Sequence, residues 1–247
     1  MSNVTIVRND NNVGFVENCR AGAAIARGDH ILFLNNDTGV CENWLAPLLE
    51  VLQDDESVGI VGPKLLFGDG RLQEAGGIVW QDGSAWNFGR MDNPDKPEYN
   101  FLREVDYISG ACLLIRGTLW QQLGGFDQRY IPAYYEDTDI AFAAREVGYK
   151  VVYQPLSRVF HFEGVSNGTD LEAGTKKYQV SNHKKFLHKW REQLETFHFP
   201  NAESVFQARD RSRHKRCVMF VDHYVPHYDK DAGSRSTFMY VQLMLDM

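Results

Sequence analysis

The chain alternates short, wholly apolar runs with segments whose apolar residues recur at helical spacing. Asn3–Arg8 (NVTIVR) reads as a strand. Between Asn11 and Asp29, Ala21, Ala24 and Ile25 share a helical face, and Gly28 suits the position that closes a helix. Ile31–Leu34 (ILFL) has the unbroken apolar pattern of a strand covered on both faces, and it stops abruptly at Asn35-Asn36-Asp37. Leu45, Leu48, Leu49 and Leu52 line a second helix, with Asn43 as its expected N-cap, and Val58–Val61 is another strand. The stretch 67–103 is rich in Gly, Asp, Asn and Pro and predicts loops and short hairpins near a site. Ala111–Ile115 is a further strand. Asp137–Val147 reads as a helix burying Ile140, Ala144 and Val147, closed by Gly148; Tyr149–Tyr153 is a strand that Pro155 stops. Strands alternating with helices predict an α/β fold with a mostly parallel sheet flanked by helices.

From 171 to 194 the pattern is a basic amphipathic helix, apolar at Phe186, Leu187, Trp190 and Leu194 and charged at Lys176, Lys177, Lys184, Lys185 and Lys189. Two readings stay open for it: a peripheral contact with a membrane surface or an anionic lipid-linked acceptor, or a solvated face over a core stripe. Residues 201–215 are polar and aperiodic and read as a linker. Arg216–Val221 (RCVMFV) reads as a new strand, followed by Pro226, Gly233 and a helix. The expected organisation is therefore a domain over 1–200, a linker over 201–215, and the beginning of a second domain over 216–247. The first strand has almost nothing before it, so the expected parent is longer.

At 247 residues the chain can hold one large or two small domains. Its formal charge of −7 argues against a nucleic-acid partner, which calls for a basic surface. The four cysteines, Cys19, Cys41, Cys112 and Cys217, are widely spaced and suggest neither a zinc site nor a disulfide framework. A reduced, cytoplasmic setting is the simplest reading. No apolar run approaches the ~20 residues that span a bilayer, so a lipid-linked substrate would be met from the water side, at the inner membrane surface.

Three clusters carry candidate chemistry. Asn35-Asn36-Asp37 follows a buried strand, where ligands bind in open α/β sheets. A carboxylate there can hold a divalent ion together with substrate phosphates, or the tripeptide is an Asx-rich turn. Tyr134-Tyr135-Glu136-Asp137-Thr138-Asp139 sets three carboxylates at a helix start. They either favour the helix dipole or supply a general base in a cleft. His161 stands alone, before a glycine-bearing stretch that could be a lid. A single histidine carries none of the spacing of a metal motif.

Together, in order and wording, these stretches resemble family 2 glycosyltransferases of the GT-A fold, in the rhamnosyltransferase-like branch. The matching segments are NNVGF, GAAIARGDHILFLNNDT, DYISGACLLIRGTLWQQLGGFDQRY, YYEDTDIAFAAREVGYKVVYQP and VFHFEG, spread over residues 4–195. The resemblance implies an inverting transfer of a sugar, hexosyl or rhamnosyl, from a nucleotide-sugar donor to a glycan or lipid-linked acceptor in polysaccharide assembly. It implies Asp37 and His161 as ligands of Mg²⁺ or Mn²⁺ and Asp137 as catalytic base. Asn36, Ser109, Gly110, Ala111, Glu136 and Asp139 would contact substrate. Family members open with further strands that hold the nucleotide base, which this sequence lacks; Arg20 stands where they often carry asparagine. The tail, RCVMFVDHYVPHYDKDAGSRSTFMYVQL, resembles the start of a family-4-like GT-B transferase domain, which implies tandem transferase domains in the parent. A different class, a non-catalytic carbohydrate- or partner-binding remnant of the same fold, is the alternative. A glycoside hydrolase ranks lower, because adjacent Glu136 and Asp137 cannot flank a glycosidic bond from both sides.

Overall fold

The computed structural model describes residues 4–162, 177–216, 218–222 and 224–245. They form two units, one through Arg213 and one from His214.

The first unit is built on a seven-stranded sheet. Its main path runs β1 (His30–Leu34), β8 (Cys112–Arg116), β3 (Val58–Leu66), β9 (Lys150–His161), β2 (Thr38–Val40). β4 (Leu72–Glu74) pairs with β3, and β7 (Arg103–Glu104) with β9. Every position of β3 is buried, as expected of a strand covered on both faces. One face carries α2 (Ala46–Asp54), whose Leu48, Val51 and Leu52 pack on Val58, Val61, Leu114 and Val152. The other carries α1 (Gly14–Ile25), α3 (Gly117–Leu123) and α4 (Glu136–Glu146), which bring Val16, Leu119 and Ile140 against Phe33, Ile60 and Ile115.

The sheet is mixed where a mostly parallel one was expected. β3 and β9 pair in parallel, and β8 lies antiparallel to both β1 and β3. The strand–helix–strand alternation does point β1, β3 and β9 the same way. What pattern reading cannot show is that β8 returns in reverse between two of them. The segment 67–103 forms short pairs, including the hairpin β5 (Gly77–Val79) and β6 (Ala85–Asn87).

Other expectations shift at their edges. Residues 4–8 form no strand, and Val4, Ile6 and Val7 are exposed. Asn43 is not the cap of α2: it is left-handed (φ 55°), a conformation asparagine tolerates, in the turn before a helix that starts at Ala46 beside Pro47. Val147 is exposed because α4 ends before it. β9 runs on through Pro155: Gln154 pairs with Pro63 and Arg158 with Lys64, so the intervening residues leave the ladder, and proline is tolerated where no N–H is needed. The basic helix is broken at Trp190 into α5 (Lys177–Lys189) and α6 (Arg191–Phe197), and its start before 177 lies outside the described residues. Phe186, Trp190 and Leu194 are buried, as their spacing predicted.

The stretch expected to be a linker packs into the first unit as far as Arg213. It contains α7 (Val205–Arg209), buries Ala208 against Ile78 and Trp80, and sends Arg211 to Asp106 and to Glu104 (3.2 Å). In the second unit the expected strand does not form among the described residues of 216–221; Val218, Met219 and Val221 are exposed, and the element present is α8 (Ala232–Leu245). Among the described residues no helix is long and apolar enough to cross a membrane.

Candidate active site

Pairing of β2 with β9 places Thr38 opposite His161, and Asp37 joins that end through its carbonyl, which accepts from the Phe162 amide (2.9 Å). The Asp37 carboxylate lies 3.4 Å from His161 Nε2, with both side chains largely covered (12% and 15% exposed). Gln73 on β4 fixes the imidazole. Its amide nitrogen faces the His161 carbonyl (3.5 Å), so its oxygen faces Nδ1 (3.0 Å), which therefore carries the proton. In the neutral ring Nε2, on the Asp37 side, is the nitrogen that can ligate a metal. Two ligands ~2.1 Å from one metal and at right angles lie ~3 Å apart. A carboxylate oxygen and an imidazole nitrogen at this separation, with the far ring nitrogen held by a neighbour, fit a divalent cation that takes its remaining ligands from substrate and water. Among the described residues no third His, Cys, Asp or Glu joins the pair.

The same sheet end leads to the second cluster. The Asn35 amide donates to Ala111 (2.9 Å), just beyond the β1–β8 register, and so joins Asn35-Asn36-Asp37 to the turn Ser109-Gly110-Ala111. From that turn the Gly110 amide donates to Asp137 Oδ2 (2.9 Å). Asp137 Oδ1 accepts from the amide (2.7 Å) and hydroxyl (3.2 Å) of Thr138. Burial raises the Asp137 carboxyl above the usual aspartate range despite these donors. A Cβ on Gly110 would stand 3.3 Å from the Phe15 ring and 3.6 Å from the Asp137 Cβ, so the turn suits glycine.

Two consecutive left-handed residues, Tyr134 (φ 78°) and Tyr135 (φ 74°), deliver Glu136 and Asp137 to the start of α4. Such backbone costs about 1–3 kcal/mol per residue and persists only where its surroundings impose it. Asn182 on α5, fully buried, imposes it: its amide nitrogen donates to the carbonyls of Tyr130 (2.9 Å), Ala133 (2.9 Å) and Tyr134 (3.1 Å).

The three carboxylates of this motif part ways. Asp137 faces the glycine turn. Glu136 is 6% exposed and raised well above its ordinary range, first by burial and then by the charge of Asp137; its own charge is felt at Cys19 on α1. Asp139, expected to contact substrate, is instead enclosed in the core. It accepts from Tyr130 (2.9 Å) and Trp190 (2.7 Å) and pairs with Lys189 (2.9 Å). Asn36 is exposed at one side of a groove of about 610 Å³ between α1 and β1, which Phe15 also lines. Arg20, on α1, donates to the carbonyls of Gly124 (2.7 Å) and Phe126 (2.8 Å), a structural clasp.

One residue of the cluster carries no sequence signal. Glu74 on β4 is 1% exposed and accepts from the Ser109 amide (3.2 Å). Burial first, then the charge of Asp137, push its carboxyl up to about 8, against the Ser109 amide and Arg90. It lies in a Gly- and Asp-rich stretch that reads only as loop.

Residues 1–121 match the family described as Glycosyl transferase family 2. This stretch is similar to glycosyltransferase family 2. Over 153 residues the chain is 34% identical to the O-antigen biosynthesis protein RfbC of Myxococcus xanthus, covering 59% of this chain and 12% of that one. Over 68 residues it is 41% identical to an N-acetylglucosaminyl-diphospho-decaprenol L-rhamnosyltransferase of Mycobacterium tuberculosis, covering 28% and 22%. The chain thus spans under a quarter of the length of these relatives. The crystal structure of GalNAc-T7 with UDP, GalNAc and Mn²⁺ superposes with a TM-score of 0.58 at 18% identity, covering 78% of this chain and 38% of that one. The shared architecture is the GT-A fold. The mixed sheet and its flanking helices agree with it.

Proposed function

We propose that this chain is the catalytic part of an inverting glycosyltransferase that moves a sugar from a nucleoside-diphosphate donor to a hydroxyl of a glycan or lipid-linked acceptor. The observation that carries the reading is Asp137. Its carboxylate is half-buried, has only amide and hydroxyl donors among the described residues, and is joined through Ser109-Gly110-Ala111 to the strand end bearing Asp37 and His161. A half-buried carboxylate held only by neutral donors, and with a raised pKa, is suited to taking a proton.

In this reading Asp137 accepts the proton of the acceptor hydroxyl as that oxygen attacks the anomeric carbon. Attack comes from the side opposite the nucleoside diphosphate, so the configuration inverts. Gly110 and Thr138 hold the carboxylate in one orientation throughout. The α1–β1 groove, with Asn36 at its side and Phe15 near Gly110, is the donor side of the site. Asp37 and His161 would hold Mg²⁺ or Mn²⁺, which when bound offsets charge on the departing diphosphate. GalNAc-T7, crystallised with UDP and Mn²⁺, supports that class of cofactor, and the O-antigen and rhamnosyltransferase relatives support a role in polysaccharide assembly. The enzyme would reach a lipid-linked acceptor from the aqueous side. The basic helix supports a membrane surface poorly, since Lys185 donates to the Arg129 carbonyl and Lys189 is spent on Asp127 and Asp139.

The test is calorimetric titration with UDP, GDP and dTDP in Mg²⁺, paired with a screen of nucleotide sugars for diphosphate release, on wild type and Asp137→Asn. Binding retained and release abolished in the variant is the expected result. Undiminished release from Asp137→Asn would remove the base assignment. Binding without release in the wild type would favour a non-catalytic remnant.

A further inference from the structure

Two consecutive peptide N–H groups in the turn before β8 are taken by two carboxyl groups from distant parts of the chain. Ser109 donates to Glu74 Oε1 on β4 (3.2 Å), and Gly110 donates to Asp137 Oδ2 on α4 (2.9 Å). We propose that Glu74 is a positioning residue for Asp137: by gripping the Ser109 amide it sets where the Gly110 amide stands, and so where the carboxylate bonded to that amide stands. This rests on the reading of Asp137 as the base.

Three observations support the assignment. Glu74 is wholly buried, and among the described residues its second oxygen, Oε2, has no hydrogen-bond partner. A carboxyl group placed there without a partner is costly for the fold alone to keep. The charged and titratable groups that act on it come from four directions: Asp137 on α4, Arg90 after β6, Tyr107 in the loop that precedes the turn, and Tyr153 on β9. With a pKa of about 8, Glu74 keeps its proton at neutral pH and adds no second negative charge beside Asp137 or an incoming diphosphate. In that form it accepts the Ser109 N–H as an amide would. Glutamine should therefore replace it, whereas leucine keeps most of the volume and leaves the Ser109 amide unbonded.

The experiment compares Glu74→Leu and Glu74→Gln in the full chain, reading steady-state diphosphate release and the ¹⁵N amide signals of Ser109 and Gly110. Expected for Glu74→Leu is a kcat lowered about 10–100-fold by misplacement of the base, with donor KM within about twofold and both amide signals moved. Glu74→Gln should return kcat to within about threefold and restore the Gly110 signal. A Glu74→Leu chain with wild-type kcat and an unmoved Gly110 signal overturns the proposal; so does Glu74→Gln as impaired as Glu74→Leu. The amide signals report the grip without turnover. If Asp137→Asn remains active while the Gly110 signal still follows residue 74, the base reading fails and the positional coupling stands.

Discussion

Two buried acidic regions of the first unit solve the same electrostatic problem in opposite ways. Asp139 is met by Lys189, Tyr130 and Trp190, and Asp106 by Arg211, His198 and the Val79 amide. Glu136 and Glu74 are as deep and Asp137 is half-buried, yet among the described residues their hydrogen-bond partners are amides and one hydroxyl, and Oε2 of both glutamates has none. Removing a carboxylate from water costs several kcal/mol unless a cation offsets it. The first region repays that cost within the fold. The second leaves it open until something else arrives, which is how an acidic site differs from an acidic strut. Asp137 and Asp139 are two residues apart on α4 and fall on opposite sides of this divide.

The most severe test of the contrast is substitution at those two positions. Asp137→Asn should lower turnover by about 10²–10⁴-fold, the usual contribution of a general base. It should leave Tm unchanged or raised, since burial opposes its charge. Asp139→Asn should do the reverse. It turns an amide donor toward Lys189 and should cost about 3 kcal/mol in urea unfolding. Turnover per folded molecule should stay within a few-fold of wild type. A drop in Tm for Asp137→Asn as large as that for Asp139→Asn would erase the distinction.

That distinction was not legible in the sequence. Although the face expected on α1, Ala21, Ala24 and Ile25, is exposed and Val16 is buried instead, strands such as ILFL, the apolar face of α2 and the stop at Asn35-Asn36-Asp37 could be read because periodicity and local turn chemistry act over a few residues. So could the candidacy of Asp37 and His161, although nothing in their spacing says that β2 and β9 pair and bring them within 3.4 Å. Which acid of Glu136-Asp137-Thr138-Asp139 faces the turn depends on Trp190 and Lys189, some 50 residues on, and on Gly110, 27 residues back. Glu74 escaped notice for the same reason, its neighbours being long-range. Arg211 escaped because a polar aperiodic segment looks like a linker whether or not a buried aspartate awaits it.

Asn182 bridges the two regions, and its removal should have an intermediate effect. It sits on α5, the helix that supplies Lys189 to Asp139, but its amide holds the strained turn that presents Asp137. Asn182→Ala frees carbonyls of Tyr130, Ala133 and Tyr134 and should cost about 1–3 kcal/mol. Relaxation of Tyr134 and Tyr135 toward ordinary backbone should also lower kcat more than it raises donor KM. A variant that loses stability but keeps kcat would place Asn182 wholly with the structural region.

The smallest effect, and the one that sets the two regions most directly against each other, is the dependence of stability on pH. Burial alone would raise Asp106, but His198, Arg211 and Arg145 bring it below the ordinary aspartate range. Its contribution is therefore present above the unfolded value, ~4, and is lost as pH falls. Glu74 has the opposite sign. Its folded pKa of about 8 lies above its unfolded value, so its contribution is full at acid pH and is lost as pH rises toward 8. Thermal unfolding across pH 3–9 should show Glu74→Gln more stable than wild type at the alkaline end, the gap closing as the pH falls toward ~4. Asp106→Asn should lower the plateau and flatten the acid limb instead. Parallel curves for the two variants would mean that both acids are neutralised alike, and the contrast between strut and site would have no electrostatic basis.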